Sequence, residues 1–216
     1  MKQLTSFGVA TVAESQEKQN VMDPLIRPIQ TSKSIAGTAV TVRSSDADNL
    51  MIHAAIEYCK KGDILVVSTL SETRNGYFGE LMATACKRKG VAALIIDGGV
   101  RDTEQIRELD FPVWSRYISV TGTSKIKPGW VNVQISVGGV TVNPGDFVVA
   151  DDDGIVVVKR ENAIEVLKAS KTREEKENVT RRRIDGGELS MDFYSLRKVV
   201  QDLGIEIVEK EDVRNA

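Results

Sequence analysis

Apolar runs alternate with amphipathic stretches along the first half of the chain. Residues 8–20 read as a short helix, and GTAVTVR (37–43) as a strand. Asp48 is placed to cap a helix over 49–62, which Gly62 ends. GDILVVS (62–68) is apolar enough for a strand buried on both faces, and a polar loop (69–78) follows. Residues 79–90 form the next helix, with basic residues in its last turn and Gly90 past its end. VAALII (91–96) is a strand, 103–109 a helix, and 111–116 a further strand. Helix–strand alternation from 48 to 116 predicts a mainly parallel sheet with helices packed on it.

After Pro128 the period shortens to two. Gly138-Gly139, Asn143-Pro144-Gly145 and Asp151-Asp152-Asp153-Gly154 punctuate it as turns, so a β-rich layer is expected. A charged helix follows over 161–179, then a helix and short strand over 189–208. No low-complexity linker or internal repeat interrupts the chain. The expectation is one α/β domain over 1–216, with a core at about 8–160 and a helical C-terminal arm at about 161–216.

Composition narrows the function. The 216 residues include 29 basic and 31 acidic side chains, a net charge of −2. That balance offers no electrostatic reason for a nucleic acid or anionic membrane partner. No apolar run approaches the roughly 20 residues of a bilayer span. Residues 1–16 lack the apolar segment of a secretory signal. Cys59 and Cys86 have no CxxC spacing, so neither a zinc site nor a disulfide is expected, and a reducing cytoplasm is the expected location.

The richest chemistry lies in IIDGGVRD (95–102). Open α/β sheets bind ligands at the carboxyl ends of their strands. Gly98 and Gly99 are expected to turn the chain sharply there. Arg101 offers a two-pronged donor for a carboxylate, and Asp102 a hard oxygen for Mg or Mn. Gly79 and Glu80 open the helix at 79–90, where free N–H groups of Leu81 and Met82 suit a small anion. One helix and one strand separate Glu80 from Arg101, so both fall at the same sheet edge. The set suits a keto-acid held on a divalent metal.

Glu80, the following twenty residues and Arg101-Asp102 resemble the acidic-x20-Arg-Asp motif of the class II pyruvate aldolases. Those enzymes cleave 4-hydroxy-4-methyl-2-oxoglutarate and 4-carboxy-4-hydroxy-2-oxoadipate. Their superfamily includes the regulator of ribonuclease activity A and some members labelled demethylmenaquinone methyltransferases. The likeness extends through 35–43, 48–56, 62–67, 79–102, 111–114 and 138–158, and covers roughly 8–190. It implies a swivelling β/β/α-type domain assembled as a homotrimer or homohexamer.

By position, the resemblance makes Asp102 the direct ligand of Mg or Mn and Arg101 the binder of the substrate carboxylate and enolate oxygen. Gly79, Glu80, Leu81 and Met82 become the substrate-binding turn, and Arg101, Asp102 and Glu80 the catalytic set. Glu80 stands where the family pattern has Asp, which implies a contact to the metal through water. The implied activity is release of pyruvate from hydroxy-keto acids, with oxaloacetate decarboxylation alongside. The base for the aldol step would be a metal-bound water assisted by Glu80, or an acid among Glu174, Glu175 and Glu177 from a neighbouring subunit. The alternative is a non-catalytic regulator that binds a ribonuclease or other protein. A methyltransferase ranks last, since no G-x-G-x-x-G follows an early strand.

Other features have ordinary expectations. His53, the sole histidine, sits beside Leu50, Ala54 and Ile56 and reads as packed or capping. Residues 151–154 lack the ligand spacing of a calcium loop. Arg181-Arg182-Arg183 reads as a solvated face or a subunit salt-bridge network. Cys86 reads as a small core residue.

Overall fold

The computed structural model describes residues 2–207. The chain forms two compact units, 1–173 and 174–216.

In the first unit, α1 (Lys2–Phe7) and α2 (Val9–Glu14) precede β1 (Arg27–Pro28) and β2 (Ile35–Ser44). Then come α3 (Leu50–Tyr58), β3 (Asp63–Thr69), β4 (Gly76–Phe78), α4 (Glu80–Lys89), β5 (Ala93–Val100), α5 (Thr103–Glu108) and β6 (Val113–Ile118). Five short strands follow: β7 (Trp130–Val131), β8 (Ile135–Val137), β9 (Val140–Val142), β10 (Phe147–Ala150) and β11 (Ile155–Val158). A 3-10 turn (Arg160–Asn162) leads into α6 (Ala163–Asp185), within which the boundary between the units falls. The second unit continues with α7 (Ser190–Phe193) and α8 (Leu196–Asp202). The short strand expected within 189–208 is not found over 189–207, and residue 208 lies outside the described residues.

The main sheet runs β1-β6-β5-β3-β2-β10-β11, with β4 beside β5 and β7 beside β2. Its centre, β2-β3-β5-β6, is parallel, and β1, β7, β10 and β11 pair antiparallel. The α/β expectation with a parallel sheet and a β-rich layer is therefore borne out. The uniformly apolar strands have a direct cause. Leu65, Val67, Leu94 and Ile96 pack into one core, while Ile64, Val66, Ala93 and Ile95 pack into another. Alternate residues point to opposite faces, and both faces are buried. Gly138 and Gly139, with φ +54° and +77°, make the two-residue turn between β8 and β9. Among the described residues no helix is long and apolar enough to cross a membrane.

Two expectations need correction. The segment 69–78 is not loop throughout, since β4 occupies its end. Nor do Gly98 and Gly99 turn the chain: β5 runs through both to Val100. Past Ile96, β5 loses β3 as a neighbour and gains β4, with Gly76 opposite Gly99 and Phe78 opposite Val100. A Cβ at Gly99 would lie 2.5 Å from the Asn75 carbonyl oxygen. The glycine serves this close approach of two backbones, not a turn.

Candidate functional site

Parallel strands β3 and β5 end at the same sheet edge, and β4 delivers the chain there to the start of α4. The Arg101 backbone N–H donates to the Phe78 carbonyl at 2.9 Å, which fixes the exit of β5 against the end of β4. Arg101 then passes among three glycines. A Cβ at Gly76 would meet its Cβ at 3.2 Å, one at Gly79 its Nε at 3.3 Å, and one at Gly122 its Nη1 at 3.1 Å.

Asp102 adopts φ 53°, ψ 38°, a left-handed conformation disfavoured for a residue with a side chain. It stands at the N-terminus of α5 but makes no side-chain cap there. Capping requires an extended backbone, which Asp102 lacks. Its Oδ2 instead accepts from the Glu80 backbone N–H, at 3.1 Å, and lies 3.7 Å from Arg101 Nε. Gly79 makes room for this, since a Cβ there would clash with Asp102 Oδ2. The first amide of α4 therefore holds a protein carboxylate.

A cavity of about 120 Å³ opens here, lined by Gly79, Leu81, Met82, Arg101 and Asp102 and, in addition, by Asn49, His53, Gly76, Tyr77, Thr123 and Lys125. The volume is small beside the roughly 300–1,000 Å³ of drug-sized sites and suits a small acid. Arg101 and Asp102 keep nearly half of their side-chain surface exposed. Leu81 projects outward and Met82 is buried.

Glu80 does not line this cavity. Its Oε1 accepts from Thr84 Oγ1, one turn along α4, at 2.7 Å. Glu174, Glu175 and Glu177 lie on α6, in the second unit. His53 is neither packed nor capping: it is exposed and faces the cavity, while Ile52 and Ala55 carry the buried face of α3. Partial desolvation at the cavity wall, and then the charge of Lys125, hold its imidazole pKa below the usual value.

The segment bearing Thr123 and Lys125 is tied down by Asp48. Asp48 Oδ2 accepts from Ser124 Oγ (2.6 Å), the Ile126 N–H (2.7 Å) and the Lys127 N–H (3.1 Å), and Oδ1 accepts from the Leu50 N–H (2.9 Å). Burial pushes this carboxyl up, but the hydrogen bonds outweigh it and hold its pKa at about 2.

A larger cavity, about 450 Å³, includes Asp97, Arg116, Asp23, Glu72 and Tyr117. Its charges already satisfy one another. Arg116 bonds Asp97 and Asp23, Asp97 accepts from the Gly138 N–H, and Tyr117 bonds Glu72. In the smaller cavity Arg101 has only the 3.7 Å contact to Asp102, and Lys125 bonds no side chain among the described residues, so the smaller cavity is the better anion site.

No cluster of three His, Cys, Asp or Glu residues that would hold a metal occurs among the described residues. At the cavity itself Asp102 supplies one carboxylate, while Glu80 is turned to Thr84. That fits Mg, which is usually held through one or two carboxylates plus waters and substrate oxygens.

The family model described as RraA-like, Aldolase/RraA, matches residues 9–157. The chain belongs to this family. A protein of Halalkalibacterium halodurans, provisionally named a 4-hydroxy-4-methyl-2-oxoglutarate aldolase, is 26% identical over 92% of this chain and 94% of its own. The uncharacterized protein MJ0644 of Methanocaldococcus jannaschii is 32% identical over 91% of this chain and 94% of its own. Among solved structures, Streptomyces coelicolor RraAS2, described as an unusual member of the RNase ES inhibitor RraA protein family, superposes with a TM-score of 0.75. It is 30% identical and covers 84% of this chain and 96% of its own. Relatives named as aldolases and relatives named as RraA proteins are thus both similar to this chain.

Proposed function

We propose that this family member is a divalent-metal-dependent lyase. It releases pyruvate from hydroxy-keto acids of the 4-hydroxy-4-methyl-2-oxoglutarate type and decarboxylates oxaloacetate. One observation carries the reading: the half-exposed guanidinium of Arg101, held among the described residues only by a long 3.7 Å ion pair to Asp102, and the strained carboxylate of Asp102 share a small cavity at the ends of parallel strands. Names among the relatives support it.

Asp102 would hold Mg or Mn directly and Glu80 through water. The cation, when bound, supplies Lewis-acid polarisation of the 2-keto group. Arg101 takes the substrate carboxylate in a two-pronged bond. As the C3–C4 bond breaks, negative charge grows on the 2-keto oxygen, and Arg101 stabilises it in place. One such fixed donor is worth about 3 kcal/mol, roughly a hundredfold in rate. Gly79, Glu80, Leu81 and Met82 form the substrate-binding turn, with Gly79 providing room for Asp102.

We infer a cytoplasmic homotrimer or homohexamer. Exposed Leu81, Val120 and Ile126 support burial against a second copy. Sedimentation would measure the assembly. The regulator reading draws on the RraA names among the solved structures. It requires no turnover and a measurable protein complex. A coupled pyruvate assay over oxaloacetate and several 4-hydroxy-2-keto acids, with and without EDTA, decides between the two. Metal-dependent pyruvate release supports the lyase, and none in any mixture rejects it.

A further inference from the structure

We propose that His53, one turn into α3 from its N-cap residue Asn49, takes the C4 hydroxyl proton during carbon–carbon cleavage and returns it to C3 of the product. The proposal rests on the lyase reading and adds the base that Arg101 and Asp102 cannot provide.

Asn49 and His53 are one helical turn apart and both line the cavity with Arg101 and Asp102. Asn49 is 6% exposed. Its Nδ2 donates to the Tyr77 carbonyl at 2.8 Å and reaches Met82 Sδ at 3.5 Å. That fixes the amide's orientation, because a flip would set oxygen against the Tyr77 carbonyl. Oδ1 is left buried with no hydrogen-bond partner. An unmet buried acceptor costs about 1–3 kcal/mol until a donor arrives. Nor does the Tyr77 hydroxyl fill this gap: it accepts from the Ala47 N–H and bonds Thr73. A substrate hydroxyl is a donor of the required kind.

His53 supplies the proton acceptor. No side-chain bond engages it among the described residues, and partial desolvation and Lys125 favour the neutral imidazole. The charged groups sharing its cavity are Arg101, Asp102 and Lys125. On elements packed against α3, Arg43 lies over the Trp130 ring and Glu80 is bonded to Thr84.

The step balances without a co-reactant. The C4 hydroxyl proton moves to the imidazole, and the oxygen's electron pair forms the new carbonyl at C4. The C3–C4 bond breaks and its electron pair passes to C3, giving the enolate of pyruvate. Protonation of C3 by the imidazolium restores neutral His53. Oxaloacetate differs at one point. Its C4 leaves as carbon dioxide, and no hydroxyl proton has to be removed first.

The test compares H53Q with the wild-type chain on both substrates, with Mg and with melting curves. Cleavage of 4-hydroxy-4-methyl-2-oxoglutarate is expected to fall at least about a hundredfold further than oxaloacetate decarboxylation, the usual scale of a general base. K125M adds a second readout. Removing that positive charge raises the His53 pKa, so the acid limb of the aldol kcat/KM profile moves to higher pH. Equal losses on the two substrates, no loss on either, or an unmoved limb would overturn the role of His53 while leaving the lyase intact. A wild-type chain that decarboxylates but does not cleave the aldol also overturns it. Inactivity on both substrates rejects the lyase reading itself.

Discussion

Gly79→Ala separates the site from the fold more cleanly than any other single change. Gly79 has φ −141° and ψ −171°, extended backbone that alanine adopts without strain. As an N-cap, alanine costs up to about 1 kcal/mol relative to glycine. Lower entropy of the unfolded chain returns about 0.4–1 kcal/mol. The new methyl would collide with Asp102 Oδ2 and press on Arg101 Cγ and Nε at 3.3 Å. Both obstacles are half-exposed side chains that can swing away, so stability is nearly unaffected. The site is not, because Asp102 leaves the Glu80 amide and Arg101 leaves its glycine-lined path. Losing the placement of one preorganised donor costs about 3 kcal/mol, or roughly a hundredfold in kcat/KM. A coupled pyruvate assay with Mg reads the loss, and a melting curve should shift by no more than about 2–4 °C. Full activity in G79A would refute the placement of Asp102. A collapse of the melting temperature would show that Gly79 serves folding instead.

Three further outcomes follow from the fold. Gly99→Ala drives a methyl into the Asn75 backbone carbonyl, which cannot rotate away, so a stability loss of about 1–3 kcal/mol is expected from urea unfolding. Folded Asp48 ionises more readily than unfolded Asp, so its contribution is complete above about pH 4 and fades as the pH falls towards 2. That contribution is about 2 kcal/mol. D48N should therefore be less stable than wild type near pH 5, with the gap closing near pH 2; parallel pH curves would contradict this. Burial pushes the Cys59 thiol up to about 11 and Cys86 to about 12, so neither should react with a thiol reagent at pH 8 until the chain unfolds.

The sequence carried the parallel sheet because fully apolar strands with glycine and capping signals leave few alternatives, and 62–68 and 91–96 became β3 and β5 nearly as expected. It was misleading at Gly98-Gly99, where two glycines look like a turn. Their role depends on β4, a strand too short to give a periodic signal. Arg101 and Asp102 were legible because both follow directly from the end of β5. Glu80 was placed correctly at the start of α4, but its hydrogen bond to Thr84 is a matter of rotamer. His53 was misread from its sequence neighbours. The buried stripe of α3 is Ile52, Ala55 and then Cys59 beyond its end, which leaves Asn49 and His53 on a separate polar row. That spacing is visible in the sequence. The arrival of Lys125 beside the row is a long-range contact, set by Asp48, and is not.

The most direct test of the central claim is pyruvate release from oxaloacetate by the purified chain and by D102A, each with EDTA and after Mg or Mn is restored. Wild-type turnover should be abolished by EDTA and restored by metal. D102A should lose at least about a hundredfold with unchanged melting, as expected when a charge-stabilising group is removed. Turnover indifferent to EDTA, or full activity in D102A, would contradict the claim.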